Sequence, residues 1–159
     1  MQHEWDAKTY WAVQNRALVA LTDAVPSAAP NTLILLVDEA GTFPANYTFR
    51  NAVEYLYPRR VTGLAVTAND FLYPAVFTPH GLSYRPWPVI REPWRSPATE
   101  HRYDEIVVAH LRADGRVLVA EGWPDTVLSP LPNGATYAPR ARIVRGAAEP
   151  RERAILRRR

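Results

Sequence analysis

The 159-residue chain has no cysteine, one methionine and one lysine. Without thiols there is no disulfide framework, no zinc ribbon and no thiol nucleophile. Glycines number only seven against fifteen prolines, about twice average proline usage, and loops are expected to be stiff and extended. Long apolar runs are missing too. The longest uncharged stretches, such as residues 24–37 and 71–84, contain prolines and fall short of the roughly 18 apolar residues of a membrane span. Glu4, Asp6 and Lys8 stand where the apolar core of a signal peptide would begin.

Motifs of familiar chemistry are also absent. Gly81-Leu82-Ser83-Tyr84 lacks the second glycine of a nucleophile elbow, and neither the mononucleotide nor the dinucleotide phosphate loop occurs. The four histidines, His3, His80, His101 and His110, show no H-x-H or H-E-x-x-H spacing. His101 and His110 with Asp104 or Glu105 are the one metal-ligand grouping to weigh, and ordinary turn and strand-face positions are the simpler account; no metal and no cofactor is expected.

The charge that is present is uneven. Residues 140–159 hold eight arginines and two glutamates, a net +6, whereas residues 1–139 hold 11 basic and 14 acidic groups, a net −3. The basic tail has no interleaved aromatics for base stacking, so residues 146–159 are read as a disordered, solvated end and nucleic acid as an unlikely partner. Residues 1–145 are expected to form a single α/β domain, large enough to bury roughly 68–70% of its unfolded surface.

Residues 7–25 predict a helix, with Asp6 as N-cap and Trp11, Leu18, Leu21 and Val25 on one face, ended by Pro26. Residues 32–37 (TLILLV) are apolar throughout, as in a strand covered on both faces. Residues 46–57 place Phe49, Ala52, Val53 and Leu56 at helical spacing, capped by Asn46 or Thr48 and stopped by Pro58. A β-rich run at 61–67 completes a βαβ unit. Six prolines across 71–98 argue against a central strand or a helix there. Runs at 103–111 and 116–121, joined through Ala113-Asp114-Gly115, predict a hairpin, and a short strand is expected at 141–144. The fold class is therefore α/β: a mixed sheet built on the βαβ unit plus a C-terminal hairpin, with helices packed on the sheet.

Asp38 and Glu39 fall at the carboxyl end of the first strand, where ligands gather in open α/β sheets. Across the same loop, the helix start at Asn46 and Thr48 offers backbone N–H groups to an anion. Tyr84, Trp87 and Trp94 are candidates for a wall beside them, and Trp123 for a core or cleft. This gives one functional reading, a small soluble enzyme or ligand-binding protein in the cytoplasm with Asp38 or Glu39 as acid–base or orienting group. The plainer reading has these as turn and cap residues. Asn46-Tyr47-Thr48 is formally a glycosylation sequon, read as a chance match.

The chain also carries a resemblance. A tryptophan-bearing helix is followed by Pro30-Asn31-Thr32 and an apolar strand, then NYTFRNAVEYLYP at 46–58, YDEIVVAHLRADGRVLVAE at 103–121 and PRERAI at 150–155. Together these resemble the soluble C-terminal domain of large, uncharacterised bacterial polytopic membrane proteins, whose layout is similar to integral-membrane glycosyltransferases that use lipid-linked sugars. The resemblance carries no catalytic residue onto this chain. It implies a non-catalytic accessory or interaction domain on the extracytoplasmic face of the bacterial cytoplasmic membrane. Residues 2–6 would then adjoin the last membrane span, and the partners would be the parent membrane segment or a glycan or lipid-linked ligand.

Overall fold

The computed structural model describes residues 2–66, 75–85 and 98–144. Helix α1 (Gln2–Ala24) already runs through Asp6, so Asp6 is not its cap. Its buried stripe is Gln14, Ala17, Leu18, Leu21 and Thr22, continued by Val25; Trp11 shares the face of Leu18 seven residues on but is 54% exposed. The helix ends at Ala24, two residues before Pro26, and the Tyr57 hydroxyl donates to Val25 O at 2.7 Å, fixing the helix end.

Strand β1 (Leu33–Asp38) is the spine of the molecule. Leu33, Ile34 and Leu35 are fully buried and Leu36 nearly so, because both faces and both edges are covered, which is why the run does not alternate. Helix α2 (Asn46–Leu56) turns Phe49, Val53 and Leu56 into the core, at the spacing its sequence predicts. Its N-cap is Ala45, with no side-chain cap, so neither Asn46 nor Thr48 caps it. Strand β2 (Thr62–Val66) then pairs parallel with β1, Leu33 opposite Thr62.

The proline-rich stretch holds the main surprise. Strand β3 (Ala75–Phe77), strand β4 (Gly81–Tyr84) and strand β5 (Thr99–Arg102) form a separate antiparallel sheet with β4 in the middle. The expectation of no central strand fails because β4 is a proline-free tetrapeptide lying between Pro79 and Pro86, long enough for the few rungs this sheet needs. A 3₁₀ turn over Tyr103–Glu105 leads into strand β6 (Ile106–Leu111), which pairs parallel with β1 and antiparallel with strand β7 (Val117–Val119). Gly115, at φ +84°, makes the turn between them.

The main sheet is therefore mixed, in the order β2-β1-β6-β7, and the expected α/β architecture holds. One face, with Ile34, Leu36 and Val107, packs on α1 and α2. The other, with Leu35, Leu64 and Val108, packs on the small sheet and on Trp123, Leu128 and Tyr137. Where a short strand was expected at 141–144, helix α3 (Pro139–Arg142) forms instead, since Pro139 suits a first helical turn. Ile143 alone makes a bridge, to Ala28, and Arg142 Nε donates to Thr32 Oγ1 at 3.0 Å. Among the described residues no helix is long and apolar enough to cross a membrane. The tail at 146–159 lies outside the described residues.

Candidate functional site

At the carboxyl end of β1 both predicted acids are engaged. Asp38 accepts from Ala40 N–H at 3.2 Å through Oδ1 and from Phe43 N–H at 2.7 Å through Oδ2. Its carboxylate thus closes the loop into α2, as aspartate does in turns. Glu39 reaches across to β6, with Oε1 2.8 Å from His110 Nε2 and Oε2 accepting from Ala113 N–H at 3.2 Å. It ties the end of β1 to the β6–β7 hairpin.

The partners proposed for these acids are elsewhere. Asn46 is buried, and its Oδ1 accepts from Ala65 N–H, which joins the start of α2 to β2 and hides the sequon asparagine. Thr48 donates back to Ala45 O at 2.7 Å. Tyr84 is a core residue on the opposite face of the main sheet, not a cleft wall. Its ring stacks on His101 at 5.9 Å and 11°, its hydroxyl lies 3.3 Å from His101 Nε2, and burial pushes its phenol up to about 12. Trp87 and Trp94 lie outside the described residues. Trp123 belongs to the second core, edge-on to Phe77, Tyr103 and Tyr137.

The two histidines weighed as ligands are also apart. His101 places Nδ1 3.0 Å from Asn31 O, just before β1 begins, whereas His110 sits beside Glu39 at the end of β1. Burial pushes the His101 imidazole below its ordinary value. Among the described residues no three metal-ligating side chains converge.

What the structure assembles instead is a groove between α1 and α2, of about 600 Å³. Trp11 and Asn15 of α1 face Tyr47, Asn51 and Tyr55 of α2 across it, over a floor that includes Leu18. Trp11, Tyr47 and Tyr55 are 54%, 48% and 67% exposed, so three rings stand open along one depression. Gln14 anchors its end, donating to Thr42 O at 3.0 Å. No charged side chain is among its lining residues. The α1 wall is Trp11 and Asn15, one turn apart at the edge of the core stripe, and the α2 wall is the stripe 47, 51 and 55 beside its core stripe. That second periodicity, polar and aromatic rather than apolar, was the signal available in the sequence.

Another cleft, of about 480 Å³, is lined by His80, Arg102, Tyr103, Asp104 and Asn133. Its charges neutralise each other, with Arg102 Nε 3.0 Å from Asp104 Oδ1. Comparison of the chain with protein-family models, with curated proteins and with solved structures gives no match.

Proposed function

We propose that this chain is a non-catalytic binding domain that holds a neutral glycan in the α1–α2 groove, as the extracytoplasmic accessory part of a bacterial membrane protein of glycosyltransferase-like layout. The observation that carries the reading is the groove's chemistry. Three exposed rings offer flat apolar faces of the kind that stack on the C–H face of a sugar. Asn15 and Asn51 bring amides, each with donor and acceptor capacity, to the same walls. A lining without charge favours an uncharged polyol over an anion or cation. Pockets of this size with convergent polar groups are the usual form of small-ligand sites.

The non-catalytic part of the reading is supported at the strand end. Both Asp38 oxygens accept backbone N–H groups, and both Glu39 oxygens have partners. These carboxylates serve the loop and the hairpin, and a general acid–base role would require breaking those bonds. Membrane attachment rests on the layout resemblance alone.

The test is titration of the full chain with neutral oligosaccharides, followed by tryptophan fluorescence and amide chemical shifts, with uronic-acid oligosaccharides as the charged contrast. Saturable shifts at groove residues, lost in Trp11→Ala and Tyr55→Ala, are the expected result. Both side chains are exposed, so the fold is retained. Absence of saturation with every neutral sugar, or full binding by both variants, overturns the glycan reading. The membrane context is checked by reading the gene upstream of Met1: an unbroken frame with many apolar segments of ~20 residues is expected.

A further inference from the structure

A separate cleft opens on the other flank of α1. It is bounded by Arg16 of α1, Ala40 and Thr42 of the loop after β1, and Arg112, Asp114 and Gly115 of the β6–β7 turn, around about 440 Å³. This is the carboxyl end of the parallel strands β1 and β6. The chain runs from β1 to β2 on one side and later returns to β1's other side as β6, so the strand order reverses here, and reversals of this kind open ligand crevices.

The lining carries two arginines, Arg16 and Arg112, against the single carboxylate of Asp114. Asp38 and Glu39 are held by loop and hairpin as described, and Glu39 turns to the opposite face of the sheet with His110. Asp114 accepts from the Arg116 backbone N–H at 3.0 Å and from Arg116 Nε at 2.7 Å, and interacts with Arg112 only at longer range. Among the described residues, neither Arg16 nor Arg112 is hydrogen-bonded to a carboxylate. Arg102, Arg116 and Arg140 each are. Two exposed guanidinium groups from separate elements thus border one cavity.

We propose that this cleft binds a small oxyanion, a phosphate group, clamped between Arg16 and Arg112 with Thr42 beneath. Guanidinium forks match the paired oxygens of such a group, and Arg16 and Arg112 reach the cleft from two separate elements, α1 and the β6–β7 turn. The site is distinct from the glycan groove, since the two lie on opposite flanks of α1. The phosphate belongs either to a free ion or to a lipid headgroup.

The first arm of the test is calorimetric titration of the full chain with inorganic phosphate at low ionic strength, where exposed charges are least screened. The second is sedimentation with phosphatidate-containing and pure phosphatidylcholine vesicles. Saturable one-to-one phosphate binding is the expected result for a free ion, and retention by phosphatidate vesicles alone for a headgroup. In either case Arg16→Gln and Arg112→Gln each weaken binding at least tenfold, while Arg140→Gln, at an arginine paired with Glu121 away from the cleft, leaves it unchanged. Failure of both arms, or binding that survives both cleft variants, overturns the proposal. Neither result depends on Trp11 or Tyr55, so the glycan reading stands or falls separately.

Discussion

Replacing Gly63 by alanine tests how tightly α2 lies on β2. An added Cβ would sit 2.7 Å from Val53 Cγ2 and 2.9 Å from Phe49 Cε1, against an ordinary carbon separation of about 3.5–4.0 Å. Val53 and Phe49 are fully buried, and a β-branched residue in a helix has essentially one side-chain rotamer. The missing space, on the order of 1 Å, must come from α2 lifting off the sheet. Overpacking of this kind costs about 1–3 kcal/mol, against less than about 1 kcal/mol from the newly buried methyl. For a domain of this size each kcal/mol moves Tm by roughly 2–4 °C, so a net cost of up to about 3 kcal/mol appears as a drop of up to roughly 12 °C by circular dichroism. Gly81→Ala should cost more, because its Cβ would lie 2.0 Å from the backbone oxygen of His101 on the neighbouring strand, and a backbone in a ladder cannot rotate aside. Gly122→Ala, with nothing within 4 Å, serves as the control and should melt within a few degrees of wild type. A Gly63→Ala protein as stable as the control would refute the close approach.

Three further perturbations follow from buried polar groups. His101 is neutral because burial lowers its pKa below the ordinary 6.5; the unfolded chain then binds the extra proton first, so its contribution to stability is full above about pH 6.5 and declines as pH falls from there towards the folded pKa. Urea midpoints between pH 7.5 and 5.5 should show that decline, and the part due to His101 should vanish in His101→Gln; an unchanged slope would refute it. The Tyr137 hydroxyl accepts from Val108 N–H at 3.1 Å and donates to Ala120 O at 2.8 Å, so Tyr137→Phe strands two backbone groups and should cost about 1–3 kcal/mol in urea unfolding. Burial holds both Tyr84 and Tyr137 up to about 12, and a spectrophotometric titration should show at least these two phenols missing from the main ionisation near pH 10, restored by denaturant and each lost in its own Phe variant.

The elements that were legible in the sequence are those decided by local pattern. The unbroken TLILLV run reads as a doubly covered strand because no polar residue interrupts it, and the structure surrounds β1 on every side. Phe49, Val53 and Leu56 announce the buried face of α2 at helical spacing, and Gly115 supplies the positive φ that the hairpin turn needs. The second sheet was not legible. Its strands are three or four residues long, lie among prolines, and pair across long stretches of chain, as Leu82 does with His101; so short a run carries too little periodicity to stand out. Tyr84 was misplaced for a related reason, since an aromatic ring suits a core and a binding wall equally well. The partner that decides the matter, His101, is seventeen residues away. The candidate groove failed differently: each of its two stripes is local, but that they face each other is a property of how α1 and α2 share the sheet.

Asp38 connects these levels, because the loop it closes borders both clefts. Phe43 lines the groove and Thr42 the arginine cleft, while Gln14 of α1 holds the strand of loop between them through Thr42 O. Asp38→Ala removes the acceptor for Phe43 N–H and for Ala40 N–H together. Phe43 is almost fully buried, so its unpaired N–H should cost about 1–3 kcal/mol unless the loop shifts to find another partner, and such a shift moves Thr42 and Phe43 as a unit. Asp38→Asn keeps one acceptor oxygen and should retain much of the loop. If the loop sets both clefts, Asp38→Ala weakens oligosaccharide and phosphate binding in parallel, and Asp38→Asn falls between it and wild type. Loss of one affinity without the other would show that the clefts are positioned independently, with α1 rather than the loop as their common frame.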